Sequence, residues 1–264
     1  MRTIFFMSML GLAAATSAWA QDAPPAPARA RTTVEALGGR SALDGGLADG
    51  TSRELHAIWQ LPSGDVARAD LLDEDKFGSH GGIFGLAYTH VPGPHWIVAA
   101  AVAAGHGGPN WARRRLDLEV TRKWLPEGQL LTRLAVYRAT YDNGRSDGGL
   151  RLALVGYLPG GLVIEGGVIA NRSQPGSIRS DMPYASLTLG EEGRQYLSLR
   201  ASSGREAYQA IGAGQALVDF RSHSVGLQWR RWLGPPWGFI VRGEHYRNPS
   251  YTRSTLDAGL FFTF

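Results

Sequence analysis

Apolar and polar residues alternate along much of this chain with a period of two, which is typical of β-strands that have one apolar face. The clearest example is segment 115–124, in which Leu116, Leu118 and Val120 share one face and Arg122 is the one charged exception on it. A soluble sandwich would turn such a face to a protein core, whereas a membrane barrel would turn it to lipid. The pattern predicts an all-β protein and leaves its surroundings open.

The last strand of the sequence alternates in the same way and ends on an aromatic residue. Its apolar face consists of Leu256, Ala258, Leu260, Phe262 and Phe264. The strand resembles the terminal strand of bacterial outer-membrane β-barrels. That resemblance implies that the barrel assembly machinery recognises this strand, through the predicted signal residues Asp257, Gly259, Phe262 and Phe264.

The amino terminus has the features of an export signal. Arg2 is followed by an apolar stretch at residues 4–15 and by Ala18, Trp19 and Ala20, which form an A-x-A cleavage site. The apolar stretch is shorter than the roughly 20 residues of a spanning helix. We therefore predict a signal peptide at residues 1–20, a periplasmic leader rich in Ala and Pro at residues 21–30, and a barrel at residues 31–264.

The gaps between apolar-patterned segments alternate between long and short, as expected of outer loops and periplasmic turns. The predicted outer loops are residues 44–50, 73–80, 105–112, 142–148, 171–183, 203–221 and 247–254. A single-chain barrel with both ends in the periplasm needs an even number of strands, so we add a weak first strand near residues 32–42. The prediction is a closed, antiparallel, up-and-down transmembrane β-barrel of about 14 strands, with about 12 as the alternative.

Composition agrees with this class and excludes others. The 264 residues include 35 glycines, 19% charged residues and no cysteine, so a disulfide framework and thiol chemistry are excluded. The formal charge of +4 comes almost entirely from arginine, since Lys76 and Lys123 are the only lysines. No basic run is dense enough to indicate nucleic-acid binding.

Aromatic residues near the predicted strand ends suggest two interfacial girdles. The predicted periplasmic girdle consists of Trp96, Trp124, Tyr157, Trp232, Trp237 and Phe264. The predicted outer girdle consists of Trp111, Tyr141, Tyr246 and Tyr251. Aromatics also occur at strand ends for other reasons, so this is a further prediction that the fold must test.

Several short stretches together resemble the YaiO family of outer-membrane β-barrel proteins. They are Ser41-Ala42-Leu43-Asp44 with Ala48-Asp49, Lys76-Phe77-Gly78, Pro109-Asn110-Trp111, the stretch from Ser198 to Glu206, and the closing strand. The resemblance implies a barrel in the outer membrane of a Gram-negative bacterium, in contact with outer-membrane lipid. Some members of this family are associated with exopolysaccharide production or export.

Charged and polar residues on the faces opposite the apolar ones would line the barrel lumen. The candidates are Arg115, Asp117, Glu119, Lys123, Arg200, Ser202, Gln228, Arg230, Arg242 and Glu244. Mixed charge of this kind could line a hydrated path or recognise an acidic sugar polymer. Alternatively, the charges pair across strands and plug the barrel, because ions away from bulk water must be matched.

An enzymatic alternative centres on His223, which Ser222 and Ser224 flank. Adjacent strand residues point to opposite faces, so a catalytic serine would have to come from another strand. The remaining histidines have no metal-ligand spacing, and we predict no metal and no cofactor.

The leading functional prediction is a non-enzymatic outer-membrane barrel, a pore or an accessory component for the passage of exopolysaccharide or a small solute. The alternatives are a lipid-modifying acyl hydrolase or transferase and a structural anchor for an export complex. The expected partners are outer-membrane lipid, the barrel assembly machinery and a polysaccharide or small solute, with no nucleic acid.

Overall fold

The computed structural model describes residues 30–264 except residues 143 and 213. The predicted signal peptide and residues 21–29 of the predicted leader lie outside the described residues. Within the part of the chain that the structure describes, no helix is long and apolar enough to cross a membrane.

The described chain forms one closed barrel of fourteen antiparallel strands in sequence order. The weak first strand predicted near residues 32–42 is present, and it closes the ring by pairing with the last strand, with Thr33 opposite Thr263. The prediction of about 14 strands is therefore confirmed. The strands are β1 Arg31–Leu43, β2 Gly50–Gln60, β3 Val66–Lys76, β4 Ser79–Gly93, β5 Trp96–His106, β6 Arg114–Lys123, β7 Leu130–Thr140, β8 Ser146–Leu158, β9 Leu162–Gln174, β10 Ile178–Glu191, β11 Gln195–Gly212, β12 Gln215–Gly234, β13 Trp237–Arg247 and β14 Thr252–Thr263.

Apolar side chains face outward and charged side chains face inward, the reverse of a soluble barrel. On β14, Leu256 and Leu260 are 62% and 58% exposed, whereas the intervening Asp257 is 5% exposed. The same contrast recurs on β6 between exposed Leu118 and buried Asp117. A belt of exposed aliphatic residues around a charged interior is stable where hydrocarbon surrounds the barrel.

The connections differ from the predicted alternation of long and short. We call the end that carries Arg31 and Phe264 the periplasmic end and the opposite end the outer end. Several predicted outer loops are largely strand: only residues 77–78, 175–177 and 213–214 connect β3 to β4, β9 to β10 and β11 to β12. These strands continue past the apolar belt, where their outward residues become polar. The hydrophobic period of two is lost there although backbone pairing continues.

The predicted periplasmic girdle is partly present. Trp96, Trp124, Trp237 and Phe264 are exposed on the outward face at the periplasmic end. Arg122 lies between two of them, 4.8 Å from the Trp96 ring and 4.5 Å from the Trp124 ring, which explains a cation on the apolar face. Tyr157 and Trp232 instead pack against buried apolar residues inside the barrel.

The predicted outer girdle is wrong for three of its four residues, and the fourth, Tyr141, is half-buried with the Arg145 guanidinium 3.6 Å from its ring. Trp111, Tyr246 and Tyr251 are almost fully buried, and they pack inside the barrel rather than against lipid. A β-strand places successive side chains on opposite faces, so an aromatic near a strand end faces outward only if its parity matches the apolar face. Tyr246 has the inward parity of Arg242 and Glu244 on the same strand.

Candidate functional site

The lumen holds a first group of ion-paired side chains on strands β6 to β9, which we call the β6–β9 cluster. Arg133 lies 3.3 Å from both the Glu119 and the Glu165 carboxylates, and Arg151 pairs with Glu119 as well. The Arg115 guanidinium donates two hydrogen bonds of 2.7 Å to the Asp117 carboxylate. The side chains of Arg133 and Glu165 are only 3% and 2% exposed. Because water does not solvate these charges, each is stabilised by its ion-pair partner.

A second group, the β13–β3 cluster, lies on strands that meet across the barrel closure. Glu54 accepts hydrogen bonds from His56 at 3.1 Å and Arg242 at 2.8 Å. Asp70 lies 2.6 Å from both the His56 Nδ1 and the Arg68 Nε. Arg242 also lies 3.5 Å from Asp257, whose other oxygen accepts a hydrogen bond from Ser52 at 3.1 Å.

Two walls between these clusters carry small inward side chains. The alanine wall on β4 and β5 consists of Gly85, Ala87, Ala99, Ala101 and Ala103. The hydroxyl wall on β10 to β12 consists of Ser186, Ser198, Ser202, Ser224 and Gly226. In a ring of fourteen strands, β4–β5 and β11–β12 lie opposite each other. All ten residues are partly exposed, whereas Arg133, Glu165 and Asp117 of the clusters are buried.

Aromatic residues cover the outer end of the lumen. Trp111, in the connection between β5 and β6, is 1% exposed and packs over the inward face of Gly81, where an added Cβ would lie 2.6 Å from the Trp111 ring. The same connection reaches β11, since Gln209 donates a hydrogen bond of 3.5 Å to Asn110. Phe77, Tyr246 and Tyr251 form a second apolar group at this end.

All ten residues proposed from the sequence as lumen candidates lie on the inward face. Four belong to the two clusters just described, namely Arg115, Asp117, Glu119 and Arg242. The others follow the strands from β6 to β13. Lys123 lies at the periplasmic end of β6, and the Arg200 guanidinium stacks 4.0 Å from the Tyr184 ring. Ser202 shares a hydrogen bond of 2.9 Å with Ser224, and Gln228 lies opposite Ser198 and Arg242. Arg230 forms an ion pair with Glu35, and Glu244 accepts a hydrogen bond of 2.6 Å from Arg253.

Sequence reasoning missed most partners of these candidates. Arg133, Arg151 and Glu165 share the inward parity of their strands, because Leu134, Leu152 and Ile164 beside them are exposed. Extending the period-two argument from β6 to its neighbours would have found them. His56 had no visible signal, since its carboxylate partners lie two residues away and on the next strand.

The enzymatic candidate His223 faces outward on β12, opposite Arg247 at the outer end of β13. The structure supplies a serine from another strand: the Ser203 hydroxyl on β11 lies 2.8 Å from the His223 Nδ1. No described carboxylate lies within ion-pair distance of His223. A similar pair joins His245 and Ser254 at 3.1 Å on β13 and β14, so the arrangement recurs on this outward surface.

The terminal-strand residues divide between the two faces. Asp257 and Gly259 face inward, and Phe262 and Phe264 face outward. Gly259 lies against β1, where an added Cβ would approach Ala36 O to 2.1 Å and Leu37 Cα to 2.7 Å, so only glycine fits. Their role as an assembly signal stays a prediction.

Among the residues that the structure describes, no three His, Cys, Asp or Glu side chains are grouped so as to hold a metal ion. The described lumen carries paired arginines and carboxylates beside small side chains.

Comparison with known proteins supports this architecture. The model of the YaiO membrane beta barrel domain matches residues 45–209. Three solved outer-membrane barrels share the fold. They are Omp33 from Acinetobacter baumannii (14% identity, TM-score 0.53, covering 89% of this chain and 99% of that one), the CymD monoaromatic hydrocarbon channel (6%, 0.56, 89% and 87%) and a TodX deletion mutant, also a monoaromatic hydrocarbon channel (9%, 0.57, 90% and 91%). No curated protein matches the chain.

Proposed function

The chain belongs to the YaiO membrane β-barrel family and so is an outer-membrane protein of a Gram-negative bacterium, and we propose that it is a non-enzymatic barrel with a narrow lumenal passage for a small polar solute or a saccharide chain. The observation that carries the proposal is the pair of small-residue walls that face each other across the lumen.

The two clusters and the two walls have different roles in the lumen. The clusters extend long side chains that are buried against one another, and they hold the barrel interior rigid. The alanine and hydroxyl walls place glycine, alanine or serine at ten inward positions, and on β11 Arg200 lies between Ser198 and Ser202. The space for a solute therefore runs along these walls and not through the clusters.

Arginines beside the hydroxyl wall give this passage its chemistry. Arg200 and Arg230 face inward on β11 and β12, and Arg230 stacks over Phe261 at 3.8 Å. Arginine donors next to serine hydroxyls suit acidic or hydroxyl-rich solutes, among them the sugar units of an envelope exopolysaccharide. Trp111 covers the outer end, so a solute passes only when the 107–113 connection moves aside.

Planar-bilayer conductance tests this function. The purified barrel should give small, infrequent openings, and Trp111→Ala should raise their frequency because it uncovers the outer end. Ser224→Trp should lower the conductance, since it fills the hydroxyl wall. Arg200→Gln with Arg230→Gln should shift selectivity away from anions.

A matched control is Arg138→Gln, which changes an outward arginine and should leave all conductance parameters as in the wild type. If both the wild type and Trp111→Ala show no conductance, the passage does not exist, and the structural-anchor function gains support. Selectivity that is unchanged in the Arg200 and Arg230 double variant would contradict the role of these arginines.

A second candidate function is hydrolysis of a lipid acyl ester at the outward surface, which the Ser203–His223 hydrogen bond favours. His223 would accept the Ser203 proton as the hydroxyl oxygen attacks the ester carbonyl. The departing alcohol would take up that proton, and water would then release the fatty acid from the serine. Mass spectrometry of outer-membrane lipids should differ between the wild type and Ser203→Ala, with Ser254→Ala as the control. Identical lipids would remove this candidate.

A further inference from the structure

Four arginines face outward on strands β6 to β10, at the outer edge of the apolar belt. We call Arg114, Arg138, Arg172 and Arg179 the arginine patch; all four are exposed. Outward residues nearer the membrane centre on the same strands are aliphatic: Leu116 and Val136 are 47% and 48% exposed. The arginine patch therefore lies where the hydrocarbon ends and the lipid headgroups begin.

The strand register brings the patch residues together. Arg138 pairs with Gly148, Gly148 with Arg172, and Arg172 with Arg179, so these residues lie at one level across β7 to β10. Adjacent strands are about 4.8 Å apart. Like charges directly opposite each other destabilise a sheet, and Arg172 and Arg179 are such a pair. Among the described residues, no carboxylate lies within ion-pair distance of Arg138, Arg172 or Arg179.

A second outward arginine pair shows how the chain neutralises such a repulsion. Arg205 and Arg221 face each other on β11 and β12. Arg205, however, forms a bidentate ion pair with Asp219, and Asp181 faces it from β10. The arginine patch lacks a comparable carboxylate, so an anion that neutralises it must come from outside the described chain.

The outward surface of the barrel between these arginines also leaves room for such an anion. Gly148 lies between Arg138 and Arg172, and a Cβ added to it would meet nothing nearer than the Tyr137 carbonyl oxygen at 3.9 Å. The backbone of β8 thus forms the floor of a recess that has an arginine on either side. An oxyanion in this recess can accept hydrogen bonds from both guanidinium groups.

We propose that the arginine patch binds the phosphate groups of the phosphorylated glycolipid of the outer leaflet, lipopolysaccharide. Guanidinium groups bind phosphate through paired, charge-assisted hydrogen bonds. The acyl chains of such a lipid would lie along the exposed Val136 and Leu150, directly below the patch. Because the patch is at the outer end, its lipid comes from the outer leaflet. The site does not depend on the lumenal passage.

Native mass spectrometry of the full barrel in detergent tests the proposal. The delipidated protein is titrated with bisphosphorylated lipid A, with dephosphorylated lipid A and with phosphatidylglycerol. We expect one bisphosphorylated lipid A to bind, with affinity reduced roughly tenfold to thirtyfold in the Arg172→Gln, Arg179→Gln double variant. Arg205→Gln, whose arginine already has a carboxylate partner, and Arg122→Gln at the periplasmic end should bind as the wild type does.

Heat-modifiable migration on a denaturing gel shows whether each variant is folded, and Arg138→Gln provides a second reading if the double variant does not fold. Equal binding by the wild type and the folded variants would overturn the proposal. Equal binding of dephosphorylated lipid A would overturn the role of phosphate, and equal binding of phosphatidylglycerol would overturn the assignment to the glycolipid.

Discussion

The inner surface of the barrel has two kinds of region, the ion-paired clusters and the small-residue walls, built on strands with the same alternating pattern. In the β6–β9 cluster, Glu165 and Arg133 are almost inaccessible to solvent and form an ion pair of 3.3 Å. In the hydroxyl wall, Ser202 and Ser224 share a single hydrogen bond and remain partly exposed. The difference shows that side-chain size and charge, not backbone geometry, decide which inward side chains are buried and which remain partly exposed.

The most disruptive test of this comparison is Glu165→Leu in the β6–β9 cluster. It leaves buried Arg133 short of a carboxylate and removes the acceptor of the Tyr184 hydroxyl, so we expect a loss of about 3–5 kcal/mol in the free energy of unfolding. Urea unfolding in lipid vesicles measures it. Adding Arg133→Met should recover much of the loss, and a single variant as stable as the wild type would show that the cluster is not structural.

A second test removes the cover above both regions. Trp111→Ala empties a nearly inaccessible site over Gly81, and we expect a loss of about 3 kcal/mol, measured by the same unfolding experiment. Leu125→Ala, at an exposed position in the 124–129 connection, is the control and should cost much less. Comparable losses in the two variants would mean that Trp111 is not packed at the outer end.

The acid sensitivity of the turn between β2 and β3 provides a third, smaller effect. Hydrogen bonds from the Val91 N–H at 3.0 Å and the Tyr88 hydroxyl at 2.8 Å lower the pKa of Asp65 from 3.8 to about 2. A lowered pKa stabilises the fold above pH 3.8, and that contribution is lost as the pH falls from about 4 to about 2.

As the pH falls through this range, the melting temperature should therefore decrease less steeply for Asp65→Asn than for the wild type. Glu127→Gln, in the exposed 124–129 connection, should follow the wild-type curve. A wild-type slope in Asp65→Asn would contradict the assigned hydrogen bonds.

The smallest effect is expected in the hydroxyl wall. Ser202→Ala removes the 2.9 Å hydrogen bond to Ser224, and we expect a loss of at most about 1 kcal/mol, because both residues are partly exposed. The unfolding experiment used for Glu165→Leu gives the direct comparison. A loss as large as that of Glu165→Leu would remove the distinction between wall and cluster.

The sequence predicted the strands well wherever their outward face touches hydrocarbon. Residues 116–120 and 256–264 show a strict period of two because an apolar environment accepts only apolar side chains. The prediction failed at the outer end, where β10, β11 and β12 run past the apolar belt and carry outward residues such as Arg179 and Arg205. Headgroups and water accept polar side chains, so the alternation that marks a strand disappears.

The sequence likewise predicted some features of the candidate site and missed others. Alternation assigned Arg115, Glu119 and Arg230 to the inward face, yet it gave no indication that Ser203 would meet His223 or that Trp111 would fold over Gly81. Those contacts depend on register and on the path of a connection. Neither leaves a periodic signal.

By itself, the sequence determined which residues of the apolar-patterned strands share a face, because the direction of a side chain in a strand follows from its parity alone. The resemblance of the last strand to those of outer-membrane barrels then assigned the apolar face to lipid. Only the tertiary structure decided which inward charges are partners. Arg230 meets Glu35 and Arg242 meets Glu54, pairs separated by 195 and 188 residues. Closure of the ring brings the last strands beside the first, and no local pattern encodes which side chains then come within reach.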